Sequence, residues 1–316
     1  MVAPAHPSPL AATGLGVGAP ADYLALTKPR IVALVMLTVA AGYVVALPAA
    51  ARVGFAGNPG TSPLGVQLWI LFNTLIGTAL VAGGTNALNQ VAERDVDALM
   101  RRTQARPLPA GRLEPNAARW FAWAIAVLGV TQLAVLVNLT TALLAALTLG
   151  SYVFAYTPLK RRTSVSTIVG AVPGALPIVG GWTAAGAPLD VSASVLFAIL
   201  FLWQMPHFLA LSWMYRADYA RAGLRMLSIE DETGALTFRQ AALNAAALIP
   251  VSLAPTVLGV AGLAYFLVAF LLSGALLALS ILAARAPSPK TARRLFLATL
   301  AYLPLLLGVL VANRIA

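Results

Sequence analysis

The sequence contains no cysteine. That excludes a disulfide framework, a thiolate metal site and a cysteine nucleophile, and it leaves any chemistry to oxygen and nitrogen groups. Charge is also scarce: 10% of the 316 residues are Asp, Glu, Lys or Arg, against about a quarter in an ordinary soluble domain. With 60% hydrophobic residues and a mean hydropathy of +0.85, the chain is excluded from the soluble globular class and reads as a membrane protein. Acids are scarcer than bases, 10 against 21, for a formal charge of +11. Bases this sparse report on topology before they report on a nucleic-acid surface, so no nucleic-acid partner is expected.

Long apolar runs are abundant. Crossing the hydrocarbon layer takes roughly 20 apolar residues in a helix, and nine stretches qualify: 31–51, 67–92, 117–136, 139–157, 165–187, 193–215, 239–258, 261–284 and 295–313. The expected fold is all-α, a polytopic bundle of nine transmembrane helices over 28–316. Residues 1–27 are rich in Pro, Ala and Gly, lack the marks of a signal or transit peptide, and are expected to form a disordered cytoplasmic tail. If the spans alternate in direction, 19 of the 21 bases fall on one side and only Arg52 and Arg314 on the other. The positive-inside rule then places the N-terminus in the cytoplasm and the C-terminus outside. Every acid but Asp190 joins the bases on the cytoplasmic face.

Three cytoplasmic segments carry the chemistry. After the second span, NQVAERDVDALMRRTQARPL sets Asn89, Glu93 and Asp97 four residues apart, along one helical stripe with Asn86 a turn earlier. An amide and two carboxylates are hard oxygen ligands suited to Mg²⁺, which completes its octahedron with water and substrate phosphates. The arginines that follow, Arg101, Arg102, Arg106 and Arg112, match phosphate oxygens bidentately. Metal ligands beside phosphate ligands point to a diphosphate substrate. The alternative is a solvated helix end with offsetting charges, but two acids at i, i+4 repel, and amides inside an apolar span are costly unless they have a function.

In the second segment, YTPLKRRT, the bases Lys160, Arg161 and Arg162 have no acid nearby and suit either lipid headgroups or a diphosphate. The Gly- and Pro-rich fifth span behind them reads as a closely packed or kinked helix. In the third, WQMPHFLALSWMYRADYARAGLRML, Gln204, His207 and Asp218 share a helix face. His207 and Asp218 would lie roughly 16 Å apart on a continuous helix, too far to share one cation. For His207 the alternative is a packing histidine bonded across the bundle, and for Asp218 a surface salt bridge with Arg216 or Arg221. An acid-bearing end follows span two and again span six, as expected of two related four-helix halves.

The stripe from Asn89 to Asp97 resembles the first NxxxDxxxD motif of the UbiA superfamily of intramembrane prenyltransferases. The DYLALTKPRIV opening, the YTPLKRRT loop, and the WQMPHF and DYARAGLRML segments resemble its heme-farnesylating branch. The resemblance covers the chain from Asp22 to Arg314. It implies a UbiA-like bundle in the cytoplasmic (inner) membrane that joins the farnesyl group of farnesyl diphosphate to a vinyl group of heme b, with a heme A synthase as a candidate partner. It implies that Asn89, Glu93 and Asp97 hold Mg²⁺ against the diphosphate. It also implies catalytic work for Asp218 and substrate contacts for Lys28, Arg30, Asn86, Arg102, Arg106, Lys160, Arg161, Gln204, His207, Tyr219 and Arg221. Two departures stand out: Glu93 where the motif has Asp, and Ala222 where a second acid would complete a DxxxD pair. A sister enzyme acting on an aromatic quinone precursor shares the metal motif but does not need WxxPHF. An inverted-repeat transporter would place its ionisable groups near the bilayer midplane, whereas here they cluster at one end.

Overall fold

The computed structural model describes residues 18–53 and 59–315. In chain order the helices are α1 (Pro20–Thr27), α2 (Pro29–Val53), α3 (Leu64–Ala92), α4 (Arg94–Leu99), α5 (Pro115–Leu136), α6 (Leu139–Leu159), α7 (Ser166–Ala184), α8 (Val191–Met214), α9 (Arg216–Arg221), α10 (Leu227–Glu230), α11 (Ala235–Val257), α12 (Leu263–Arg285) and α13 (Pro289–Ala312). Nine of these, among the described residues, are long and apolar enough to cross a membrane. They match the nine expected stretches to within a few residues at each end, the start of the last span differing most.

The last span starts at Pro289 rather than 295. Ser288 accepts from the Thr291 amide at 3.2 Å while the Thr291 hydroxyl accepts from the Ser288 amide at 3.1 Å, a reciprocal cap that nucleates the helix with proline at its first position. Lys290, Arg293 and Arg294 therefore sit on the first turns of α13. At the other end of the chain, residues 1–17 of the expected tail lie outside the described residues. The stretch expected to be disordered up to residue 27 instead forms α1 from Pro20. Its composition gives no periodic apolar face. The helix is fixed by burial of Leu26 and by side chains of α3 that bond its last carbonyls.

Close helix approach is set by small residues, as in membrane bundles where packing replaces the hydrophobic effect between helices. A Cβ at Gly42 of α2 would fall 2.1 Å from the Ile178 carbonyl of α7, and one at Gly181 would fall 2.0 Å from the Val39 carbonyl. The two backbones touch there. The glycines expected to mark a closely packed fifth span do so, and α7 is the most buried of the nine.

The two halves correspond. α3 packs on α5 in the first, α8 packs on α11 in the second, and α2 and α7 meet between them. The ends of α3 and α8 show the repeat most clearly. Each stops at one residue outside helical geometry, Glu93 (φ −104°, ψ 10°) and Tyr215 (φ −109°, ψ 19°), and each resumes as a six-residue helix.

Candidate active site

The stripe read from the sequence is real but kinked. α3 ends at Ala92 and α4 begins at Arg94, yet the i to i−4 ladder continues: the Glu93 amide donates to Asn89 at 2.9 Å and the Asp97 amide to Glu93 at 2.8 Å. Asn89, Glu93 and Asp97 are all buried. Each already has a partner. The Asn89 side-chain nitrogen donates to the Thr157 hydroxyl at 3.2 Å, so its oxygen faces away from that contact. Asp97 pairs with Arg106 at 2.7 Å. Lys160 Nζ lies 2.9 Å from Glu93 Oε1 and 3.2 Å from Oε2. Only the Oε2 contact has hydrogen-bonding geometry, which leaves Oε1 buried without a hydrogen bond.

The π-helical turn Ser151–Tyr156 near the end of α6 explains how Thr157 arrives. Its hydroxyl donates to the Tyr152 carbonyl five residues back at 2.9 Å, and the widened turn aims it at Asn89. The same turn lays the Tyr156 ring 4.4 Å below Lys160 Nζ. Burial alone would lower the Lys160 ammonium, but Tyr156 and Glu93 hold it above its ordinary value.

Lys28 closes the site from the N-terminal side. It is the one non-glycine residue with left-handed backbone among the described residues (φ 53°). Gln90 donates to the Leu26 carbonyl at 2.7 Å and Asn86 to the Thr27 carbonyl at 3.2 Å, which pins the chain just before it. Burial and the charges of Arg106 and Lys160 pull the Lys28 ammonium down to about 7, with Glu93 and Asp97 offsetting part of this. Lys28, Arg106 and Lys160 thus crowd together around the two acids. Asp22 of α1 adds a clasp, 3.0 Å from Arg112 on the loop that carries Arg106.

The third segment folds over the first two. Tyr219, Ala222, Leu224 and Met226 pack on Val96 and Met100 of the first, and the Arg225 amide donates to the Lys160 carbonyl at 2.9 Å. Arg102 lies over the Tyr215 ring at 5.2 Å. Counting from the matching breaks, Tyr215 and Tyr219 occupy the places of Glu93 and Asp97, so the stripe of the second half carries phenols. Asp218 is one residue off that stripe and pairs with Arg221. Arg30 and Arg161 are exposed and are not drawn into the cluster.

Beneath the charged end lies a cavity of about 340 Å³, mostly apolar, bounded by α2, α3, α6, α7 and α8. Lys28, Asn86, Tyr152 and Tyr156 line its upper part, and Gln204 and His207 line it on α8. Ile31 and Leu34 of α2 line it too, and both are about half exposed. Gln204 spans to α7, donating to the Ala171 carbonyl at 3.3 Å, and a Cβ at Gly174 would strike its oxygen.

Sequence reasoning missed Gln90, Thr157, Tyr152 and Tyr156. Gln90 carried a usable signal, a further amide within an apolar span next to the stripe. The tyrosines and the threonine had none, because only the π turn turns them inward.

Residues 35–303 match the UbiA prenyltransferase family. The chain belongs to that family. Among curated relatives it is 45% identical over 294 residues to a protoheme IX farnesyltransferase of Solibacter usitatus (strain Ellin6076), covering 93% of this chain and 98% of that one. It is 46% identical over 261 residues to the protein of the same name from Sorangium cellulosum (strain So ce56), covering 82% and 92%. Among solved UbiA-type folds, a digeranylgeranylglyceryl phosphate synthase superposes with a TM-score of 0.73 at 15% identity over 93% of this chain and 97% of that one. A UbiA homologue from Archaeoglobus fulgidus bound to GPP and Mg²⁺ gives 0.58 at 16% identity, over 92% and 99%. The UbiA assignment accounts for an integral membrane protein whose charged groups collect at one end of the bundle.

Among the described residues no three His, Cys, Asp or Glu side chains come together. A cation here would rest on one or two carboxylates, an amide oxygen and ligand oxygens. That donor set is the one Mg²⁺ commonly takes, and Glu93 Oε1, ion-paired with Lys160 but without a hydrogen bond, is an oxygen such an ion would share.

Proposed function

We propose that this protein transfers the farnesyl group of farnesyl diphosphate to a vinyl group of heme b, giving heme O and diphosphate, at the cytoplasmic end of an inner-membrane bundle. One observation carries the reading: an apolar cavity runs from Lys28, which borders the cluster of bases and carboxylates, to a histidine deeper in the bundle. Matches at 45% and 42% identity over nearly the full length of proteins named protoheme IX farnesyltransferase support heme as the acceptor.

Ionising an allylic diphosphate requires stabilising the charge that develops on the leaving group. Asn89, Glu93 and Asp97 would hold Mg²⁺, which supplies Lewis-acid stabilisation of the diphosphate. Lys28, Arg106 and Lys160 are poised to take the diphosphate oxygens, and Arg102 lies at the rim. As the carbon–oxygen bond breaks, its electron pair leaves with diphosphate. The vinyl π pair then bonds the allylic carbon, and the cation left beside the porphyrin adds water and loses a proton, giving the hydroxyl of the product. The apolar wall delays that water until the carbon–carbon bond has formed. No covalent nucleophile is needed, which suits a site without cysteine. His207 sits where the porphyrin would lie.

Supplying membranes that contain this chain with farnesyl diphosphate and either heme b or 4-hydroxybenzoate tests the reading. Heme O is expected from the first, and prenylated benzoate in its place would transfer the protein to the quinone branch.

A further inference from the structure

His207 is closely held. Its ring stacks against Trp203 (centroids 5.3 Å apart, 24° between planes) and Phe296 (4.8 Å, 30°) and meets Phe208 edge-on (5.5 Å, 64°), and its Nδ1 lies 2.8 Å from the Thr299 hydroxyl of α13. Thr299 is itself anchored. Its hydroxyl donates to the Phe296 carbonyl at 2.6 Å, and its own carbonyl accepts from the Trp203 indole at 2.8 Å. Thr299 is fully buried, and its side chain carries one hydroxyl proton.

That single proton decides the histidine's state. Because it goes to Phe296, the oxygen meets Nδ1 as an acceptor, so Nδ1 must carry the hydrogen. Nε2 is then a bare lone pair, and it makes no hydrogen bond among the described residues. With Trp203 and Phe296 stacked on the ring and Nδ1 engaged by Thr299, Nε2 is the ring nitrogen left for the cavity that His207 lines. A metal-binding histidine commonly has its other ring nitrogen donating to a fixed acceptor, which sets the tautomer and the ring orientation.

We infer that Thr299 is a positioning residue for the acceptor substrate: it fixes His207 as the Nδ1–H tautomer and presents Nε2 as an axial ligand to the iron of a heme in the cavity. The inference rests on heme as the acceptor, and it goes further in assigning a function to a threonine on the last span that touches neither substrate.

The full-length protein in lipid nanodiscs, titrated with ferric protoheme IX, tests it. Wild type is expected to give a histidine-ligated heme spectrum that His207→Ala abolishes. Thr299→Val keeps the shape and removes the acceptor, so its heme affinity should fall about tenfold or more, in the range typical of such supporting contacts, with an altered iron–histidine vibration in the ferrous form. Thr299→Ser should restore both. The tautomer is also readable in the wild type without any substitution. His6 is the only other histidine, so ¹⁵N-histidine labelling should show Nδ1 of His207 protonated and Nε2 bare. Protonation on Nε2, or a Thr299→Val titration identical to wild type, would overturn the inference while leaving heme farnesylation standing. A wild type that binds no heme would instead remove the functional reading on which the inference depends.

Discussion

Lys160 and Glu93, 67 positions apart in sequence, form a buried ion pair with Nζ 2.9 Å from Oε1. The pair joins the end of the second span to the loop after the fourth. Removing one member of a buried pair strands the other charge, at a cost of about 3–5 kcal/mol. Lys160→Met is therefore expected to lower the melting temperature of the solubilised protein. Adding Glu93→Gln should return most of the stability but not the turnover, because the carboxylate is also a proposed metal ligand. Equal recovery of both would make the pair purely structural.

Asp97 combines burial with a 2.7 Å contact to Arg106. Asp97→Asn keeps the size and removes the charge, so product formation should drop about a hundredfold or more, in line with losing a key electrostatic group, while membrane insertion is retained. Chelation of Mg²⁺ should silence the wild type reversibly. Turnover that persists in chelator would contradict the metal assignment.

Gln90 predicts a binding effect. Gln90→Leu leaves the Leu26 carbonyl without its partner, a loss of about 1–3 kcal/mol, and frees the left-handed backbone at Lys28 to relax. The KM for the prenyl diphosphate should rise about tenfold with a smaller change in kcat, since the contact would be made in both ground and transition states. A change in kcat alone would mean that Lys28 is not held through α1.

Lys28 also gives a pH signature. Its ammonium is lowered to about 7, mainly by burial and then by the charges of Arg106 and Lys160. The lysine is therefore charged below that pH and neutral above it in the free protein. A diphosphate anion would recharge it, so binding takes up a proton and affinity weakens as pH rises through 7, by about tenfold per unit until the pKa of the complex is reached. Lys28→Met should bind more weakly at pH 6 and lose this limb. An unchanged profile would remove Lys28 from the diphosphate site.

The span count was legible because apolar runs of that length have no other stable home, and the basic residues checked it independently. The acid stripe was legible because a period of four survives a kink. The kink itself was not. Glu93 and Tyr215 leave helical geometry with neither proline nor glycine to announce it, and only the fold shows that they occupy matching places in the two halves. The same register sets Tyr219, one residue beyond Asp218, in the place that Asp97 holds in the first half. α1 and Thr299 were silent for another reason. A short helix stabilised by two amides from another span, and one threonine in an apolar run, acquire meaning only from partners distant in sequence.

The most direct test of the account is farnesyl transfer to heme b in membranes containing this chain, assayed with and without Mg²⁺. Heme O should form with the ion, disappear in chelator and be absent in the Asp97→Asn variant. A chain that leaves heme b unmodified in the presence of farnesyl diphosphate and Mg²⁺, while prenylating an aromatic acid, would contradict it.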